Sequence, residues 1–399
     1  MVGEVVVAAG ATLSIAPGVR VEFAGPYALE VGGRILALGA PDARIVFTSA
    51  HPEAFAVDST QTGCWRGLRF PWTPSTQGGS RLEYCVLEYA KGAGDGSRGG
   101  ALSVVGPSRL QVSDCIFRHN AADYGAVLFC SHFAAPRLSG CLMVDNHAFV
   151  GGAAVFCMDA YPRLVASTIV GNEVLNPDPW HATGVIHQHI AKALVAGNIL
   201  WSNPSHYFLP GQIREGKGFY VTMNDIELGH PGEGNFDEDP RFVDQGDHAF
   251  ALLGDSPCID AGPADTSGLG IAAHDLAGGA RVRGGRIDAG AYEWREPAAA
   301  PEARSATTLR LTAEANPCAG RAWLRLALDR PGEVRVAIVD VAGRRVAEIA
   351  RGFFTAGEHF VSWDGRAADG SPAPAGVYFA RARAGSRMAA TTLLRASGR

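Results

Sequence analysis

A short unit of apolar and polar positions recurs roughly every 26 to 31 residues in the first half of the chain. Each unit contains a leucine, a small residue, two apolar residues, two variable residues and then an asparagine. The clear copies end at Asn120, Asn146, Asn172 and Asn203, and an imperfect earlier copy covers residues 82–87. A fixed period of this length is typical of repeat proteins, in which each unit buries its apolar face against its neighbours.

The apolar runs are short, rich in β-branched and aromatic residues, and separated by Gly and Asn, so they predict strands. One turn of this length with two or three short strands fits a coil that rises by about 4.8 Å, the distance between paired strands. Like residues would then form columns, with the asparagines stacked at one turn and bonded to the backbone. We therefore expect a parallel solenoid of roughly nine coils over residues 5–235.

This pattern resembles the right-handed parallel β-helix repeat proteins, the group that includes the pectate-lyase-like folds. The opening runs at residues 12–23 and 29–39 look like the first coils of secreted bacterial surface proteins of this type. The resemblance implies an extracellular or cell-surface location. It also implies an export signal, which the chain does not show and which we expect upstream of Met1, against the alternative of a cytosolic protein.

Composition narrows the partners. The chain has 50 Gly and 23 Pro, a formal net charge of −5, and no apolar run near the roughly 18 residues of a membrane span. A negative net charge provides no general attraction for nucleic acid or anionic lipid. We therefore expect neither nucleic-acid binding nor a membrane span.

Beyond residue 235 the repeat ends. Residues 236–294 are turn-rich and resemble the closing segment of bacterial β-helix surface proteins, which predicts an irregular cap on the last coil of the solenoid, assigned to residues 1–235. Their aspartates lack the regular spacing of a calcium loop. Residues 295–306 read as a Pro/Ala-rich linker.

Residues 307–399 form a separate predicted domain of short alternating strands, which favours an antiparallel sandwich. The segments 339–346 (VDVAGRRV), 363–365 (WDG) and 374–378 (PAGVY) resemble the immunoglobulin-like domain of the flagellar hook-capping protein and the sorting domains of type IX secretion substrates. The resemblance implies contact with a secretion machinery, although Cys318 stands where that family usually has an aromatic residue. The predicted fold class is therefore all-β: a right-handed parallel β-helix followed by a small Ig-like β-sandwich.

The most polar cluster in the solenoid joins Trp180 and His181 to nearby histidines. Alignment from the glycines that open each unit places histidine, cysteine and aspartate at equivalent positions of neighbouring coils and turns them outward. Cys, His and Asp are suitable ligand types, so this set is the candidate ligand-binding site, against the alternative of packed surface residues under a loop: Cys130, His132, Cys157, Asp159, His187 and His189. Cys130 and Cys157 would also lie within disulfide reach.

No stacked column places two carboxylates in adjacent coils, and the cysteines show no zinc spacing. We therefore predict no catalytic residues, no metal site and no cofactor, and an enzyme is the less favoured alternative. The expected function is an exported, non-enzymatic surface protein that binds a glycan or another envelope component, with a C-terminal secretion or anchoring module. The competing hypothesis is a lyase or hydrolase acting on an acidic polysaccharide.

Overall fold

The structure is a computed structural model, and the residues it describes fall into two compact units, Met1–Glu296 and Pro297–Arg399. It is all-β: apart from one 3₁₀ turn at Pro52–Ala54, no helix occurs in the described part of the chain. The described residues are 1–72, 79–92, 97–175, 185–189, 192–204, 212–214, 220–243, 249–296, 309–313, 322–328, 330, 332–341, 343–355, 357–384 and 387–396, with only the backbone of 188 and 189.

The first unit is a parallel solenoid in which every coil contributes one strand in turn to sheets A, B and C. The first four coils are β1 (Val5–Val7), β2 (Thr12–Ile15), β3 (Arg20–Phe23); β4 (Leu29–Val31), β5 (Arg34–Leu38), β6 (Ile45–Ser49); β7 (Leu68–Phe70), β8 (Ser80–Glu83), β9 (Cys85–Glu88); and β10 (Leu102–Val105), β11 (Leu110–Ser113), β12 (Ile116–Arg118).

The fifth, sixth and seventh coils carry an additional short strand before sheet A. The chain continues as β13 (Ala121–Tyr124), β14 (Leu128–Ser131), β15 (Arg137–Ser139), β16 (Leu142–Val144); β17 (His147–Gly151), β18 (Val155–Met158), β19 (Arg163–Val165), β20 (Thr168–Val170); β21 (Glu173–Val174), β22 (Ile186–His189), β23 (Leu194–Ala196), β24 (Ile199–Trp201); and β25 (Ile213–Arg214), β26 (Tyr220–Thr222), β27 (Asp225–Ile226). Sheets A, B and C each have eight strands within the described residues, one fewer than the nine coils predicted. Strands β13, β17 and β21 form a small parallel sheet of their own.

The predicted asparagine stack is confirmed, and it lies at the turn after sheet C. The side-chain amide of Asn120 donates to the Oδ1 atom of Asn146 at 2.9 Å, Asn146 donates to Asn172 at 2.8 Å, and Asn172 donates to Asn203 at 3.0 Å. Each Oδ1 atom also accepts the backbone N–H of the preceding asparagine. The four side chains are buried, so the ladder satisfies polar groups that the bend removes from the strands and from water.

A second ladder, which the sequence did not predict, occupies the corner between sheets B and C. The Oγ atom of Ser167 accepts the backbone N–H of Cys141, the Oδ1 atom of Asn198 accepts that of Ser167, and the Oδ1 atom of Asn224 accepts that of Asn198. These residues continue the column of Cys85, Cys115 and Cys141, all buried as predicted. One column thus changes from thiols to amides without changing its place in the fold.

The corners are made by single residues in the left-handed region. Between sheets B and C these are Tyr84, Asp114, Gly140, Ala166, Gly197 and Met223, with φ between 47° and 66°. Before the asparagine ladder the equivalent residues are Tyr89, His119, Asp145, Gly171 and Ser202. Left-handed φ values cost little for Gly and are tolerated by Asn, Asp and His, so the cost at Tyr84 or Met223 must be offset by packing.

The segment 249–296 lies along the outer face of sheet C, and the assignment of residues 236–294 as a cap of the last coil stays a prediction. Leu142 packs against Leu276 and Tyr292, while Ile199 packs against Leu252 and Cys258. The segment reaches back to early coils, where the Oη atom of Tyr84 donates to the carbonyl of Asp275 at 3.1 Å and Arg44 Nη2 donates to Leu276 at 2.6 Å. We call residues 249–296 the side strap.

The second unit contains two antiparallel sheets around one core, in agreement with the predicted antiparallel sandwich. Its strands are β28 (Arg310–Ala313), β29 (Ala322–Leu328), β30 (Gly332–Asp340), β31 (Arg345–Phe354), β32 (Gly357–Trp363), β33 (Gly376–Ala384) and β34 (Arg387–Arg395). The sheet orders are β28-β29-β32 and β31-β30-β33-β34. Leu324, Ile338, Trp363 and Leu393 are buried in the shared core.

Replacement of Phe117 by Ala tests the inward column of sheet C. Phe117 is fully buried between Leu87 and Met143 of the adjoining coils, so Phe117→Ala should lower the free energy of unfolding by about 3 to 5 kcal/mol. Urea denaturation measures this loss. Phe133→Ala is the matched control, because Phe133 is 62% exposed and its removal should cost less than about 0.5 kcal/mol. Equal losses for the two variants would contradict the assigned register.

Candidate functional site

Cys130 and Cys157 point into the core, not outward as the sequence alignment had predicted. Both are buried, and their Sγ atoms lie 3.2 Å apart. The prediction failed by one residue: Leu102 pairs with Leu128, which pairs with Val155, whereas counting two residues on from Gly100 and from Gly125 equates Leu102 with Val127. A shift of one residue moves every side chain of a strand to the opposite face.

The other four residues of the predicted set lie apart from the two cysteines. His132 and Asp159 are exposed corner residues with φ of 55° and 49° after sheet A. His187 pairs with Phe156, and its ring stacks on the Phe156 ring with centroids 4.5 Å apart. His189 pairs with Met158 through its backbone, and its side chain, like Trp180 and His181, lies outside the described residues.

The six residues therefore do not form one constellation. Within the described residues, no group of three or more His, Cys, Asp or Glu side chains is arranged to hold a metal ion. Ligand binding by individual members of the set stays a prediction.

The outward column of sheet A is aromatic and covered by the chain itself. Phe129 and Phe156 stack in parallel with centroids 6.0 Å apart, yet they are only 2% and 7% exposed. Tyr124 packs edge-on against Phe156, and the guanidinium of Arg98 lies over Phe129. This column is a packed layer rather than an open surface.

An exposed aromatic surface lies instead at the corner between sheets A and B. We call its residues, Trp72, His132, Phe133 and Tyr161, the corner strip. Trp72 is 60% exposed, Phe133 62% and Tyr161 44%. Phe133 and Tyr161 stack with centroids 6.4 Å apart, and Trp72 meets His132 edge-on at 6.5 Å. The strip follows the solenoid axis over four coils, about 14 Å at the usual strand spacing.

Backbone geometry fixes the corner strip. Gly106 lies beneath the indole of Trp72, and a Cβ atom there would stand 2.7 Å from the ring. A glycine with φ of 72° thus lets Trp72 cross one coil and reach His132. Further along, the backbone N–H of Phe133 donates to Asp159 at 2.5 Å and that of Tyr161 donates to Ala134 at 2.7 Å. The rings are therefore held on hydrogen-bonded backbone.

A polar groove lies beside sheet B, between its outer face and the side strap. It has a volume of about 330 Å³, and its lining includes Arg81, Glu83, Gln111, Ser113, Asp114 and Arg137. Asp114 is 2% exposed, and its Oδ1 atom has no hydrogen-bond partner among the described residues. Burial raises the pKa of Asp114 to about 8, while Arg281 opposes the shift. The groove therefore contains a carboxyl group that is largely protonated at neutral pH.

The sequence interpretation missed both the corner strip and the groove. The available signal for the strip was large aromatic residues directly after corners, at Phe133 and Tyr161, where no strand buries them. The signal for the groove was weaker: Glu83 and Asp114 lie in adjacent coils but one position out of register. A search of single columns for paired carboxylates passes over that arrangement.

Comparison with known proteins bears on the second unit. Residues 319–387 match the family described as the FlgD Ig-like domain. The match agrees with the resemblance to the flagellar hook-capping protein read from the sequence. No curated protein matches the chain.

Other findings bear on location and partners in general terms. No helix in the described part of the chain has the length and hydropathy to cross a membrane. The parallel solenoid and the Ig-like match together fit a surface or extracellular repeat protein.

Buried carboxyl groups should make the stability of the solenoid fall as pH rises. Burial raises the pKa of Asp225 and Glu293 to about 7 and that of Asp114 to about 8, against about 4 in an unfolded chain. The folded state therefore holds these protons more tightly, so the stabilisation is complete below about pH 4 and is lost as pH rises through 7 to 8.

Denaturation of the solenoid between pH 4.5 and pH 9 measures this dependence. Asp225→Asn should flatten the decline, because Asn cannot ionise where Asp225 accepts a hydrogen bond from Cys258. Asp42→Asn, at an exposed position, should leave the slope unchanged. A stability that rises over this range, or an unaltered slope in Asp225→Asn, would contradict the assignment.

Proposed function

We propose that this protein is an exported surface or extracellular protein that binds a glycan along the corner strip, without catalysing its cleavage. The observation that supports this proposal is the exposed, axially aligned set of Trp72, His132, Phe133 and Tyr161. Exposed apolar patches on a monomer commonly mark interaction sites. The C–H faces of sugar rings stack on aromatic side chains, and Trp and Tyr add a polar edge for hydroxyl groups.

A regular solenoid suits an extended polymer, because its corner positions repeat at a constant distance. Nucleic-acid bases also stack on aromatic side chains, but non-specific binding of nucleic acid depends on cationic contacts to phosphate. The net charge of −5 disfavours that partner. A glycan or another envelope polymer is the partner that the corner strip suits best.

The C-terminal unit is assigned to secretion or anchoring in this proposal. What supports this role is the match to the FlgD Ig-like domain and the separate apolar core of this unit. A type IX sorting function and an extracellular location are parts of the same proposal, as is membership of the pectate-lyase-like group. Deletion of residues 307–399 with location followed in cells tests this part.

Substitutions in the corner strip test glycan binding. Trp72→Ala and Tyr161→Ala should each lower the affinity for the best-bound polymer of a glycan array at least tenfold, equivalent to about 1.4 kcal/mol. Titration calorimetry on the full chain measures the change, and Trp72→Phe should restore part of it.

Trp323→Ala is the matched control, since Trp323 is 48% exposed in the second unit, and it should bind like the unaltered protein. Strip variants with unchanged affinity, or an array with no bound glycan, would overturn the proposal.

The second candidate function, cleavage of an acidic polysaccharide, has one observation in its favour. Asp114 and Glu83 line the same groove with two arginines, and glycoside hydrolysis uses two carboxyl groups. Against it, Glu83 forms an ion pair with Arg81. The second carboxylate that hydrolysis would need is therefore already engaged.

The purified protein should therefore leave pectate and alginate uncut, with or without calcium. Chromatography of the polymer and ultraviolet absorbance of unsaturated ends measure this outcome. Cleavage that disappears in Asp114→Asn but persists in Asp42→Asn would establish the enzyme and refute the binder.

A further inference from the structure

The groove beside sheet B carries a set of groups that neither the fold nor the corner strip requires. Its floor is the outward surface of sheet B, where Arg81, Gln111, Arg137 and Arg163 stand in one column through four consecutive coils. The next outward column places Glu83, Ser113 and Ser139 beside them. Columns of this kind present like groups about 4.8 Å apart.

Two of the three arginines in this column already have partners. Arg81 pairs with Glu83, and Nη1 of Arg163 donates to the carbonyl of Gly268 on the side strap at 2.6 Å. Arg137 is exposed, and among the described residues its guanidinium has no hydrogen-bond or ion-pair partner. Arg137 therefore presents an unpaired guanidinium group at the edge of the groove, where it can bind an anion.

Asp114 provides the second unmatched group, on the inner side of the groove. Its Oδ1 atom is buried and without a hydrogen-bond partner in the described residues, which in a folded protein is a cost unless a ligand or water is bound. Gly140 lies at the same corner of the next coil. The carboxyl of Asp114 fits there only because Gly140 has no Cβ atom, which would clash with Oδ1. An unpaired cation and an unsatisfied carboxyl thus face a space of about 330 Å³, at the lower end of the size of small-ligand pockets.

We propose that this groove binds an oxyanion, the carboxylate or sulfate group of a ligand the size of one sugar residue, with Arg137 as counter-ion and Asp114 as hydrogen-bond donor. Planar guanidinium groups bind oxyanions with two parallel hydrogen bonds. Gln111 and Ser113 lie between the two groups and can bond ring hydroxyls. This inference concerns a different surface from the corner strip and stands or falls separately from it.

The protonation of Asp114 makes the binding depend on pH. A protonated carboxyl donates to the bound oxyanion, whereas an ionised carboxylate repels it, so affinity should fall as pH rises through about 8. The charged and titratable groups that face Asp114 are Arg281 and Asp275 of the side strap, Arg44 and Glu83 of earlier coils, and Tyr84 and His274, which line the groove.

The experiment titrates the full chain with glucuronate, N-acetylglucosamine 6-sulfate and glucose, and isothermal titration calorimetry at pH 6.5 measures the affinity for each. The two charged sugars should bind at least tenfold more tightly than glucose, and the tighter of the two identifies carboxylate or sulfate as the group recognised. Equal binding of glucose and both anions, or no binding of any probe, would overturn the inference.

Substitutions test whether the charged sugars bind in the groove. Arg137→Ala should lower the affinity for the charged sugars at least tenfold and Arg137→Lys should retain part of it, while Arg20→Ala, which removes an exposed arginine of β3, should change nothing. In Asp114→Asn the affinity should no longer fall between pH 6.5 and pH 9. An unchanged affinity in Arg137→Ala would refute the site. Because Arg137 is exposed, circular dichroism should show that this variant remains folded.

Discussion

The satisfaction of backbone groups at the corners is the constraint on which the solenoid depends. From the third coil to the seventh, the corners on both sides of sheet C each contain a single left-handed residue, and each such corner withdraws backbone donors and acceptors from the sheets. The asparagine ladder returns those bonds: each buried amide donates to the next asparagine and to a backbone carbonyl, as Asn146 does to Asn172 and to Phe117. Since an unpaired buried polar group costs about 1 to 3 kcal/mol, the ladder fixes the register of successive coils. That register in turn decides which side chains meet on the surface.

The two proposed binding sites lie at the two edges of sheet B, where this register brings their residues together. At the edge towards sheet A, corner residues carry Phe133 and Tyr161 outward on hydrogen-bonded backbone. At the edge towards sheet C, the side strap closes a groove over Asp114 and the arginine column. Successive coils of a solenoid present equivalent positions, so each proposed site depends on residues that differ from one coil to the next. Here the differences come from Gly106, which admits Trp72 over one coil, and from Gly140, which admits the Asp114 carboxyl.

The parts of the fold that could be predicted are those in which the repeat is strict. The asparagines recur at 26, 26 and 31 residues with the same flanking pattern, so their stacking could be read from the chain. Sheet A could not be aligned in the same way, because Gly99 and Gly100 offer two starting points and the true equivalent of Gly125 is one residue earlier than assumed. Because of this one-residue error, the alignment predicts outward side chains for Cys130 and Cys157, whereas both point into the core. The groove was beyond prediction since the side strap has no period and its contacts join residues more than 100 positions apart.

A double-mutant cycle on the asparagine ladder tests this account most directly. Asn146→Ala and Asn172→Ala should each lower the free energy of unfolding, and their combined effect should depart from the sum by about 0.5 to 3 kcal/mol, because the two amides are bonded. The control cycle pairs Asn146 with Asn198, which belongs to the other ladder, and should be additive within about 0.5 kcal/mol. An unchanged free energy of unfolding in Asn146→Ala, or equal coupling energies in the two cycles, would contradict the claim that the hydrogen bonds at the corners set the register.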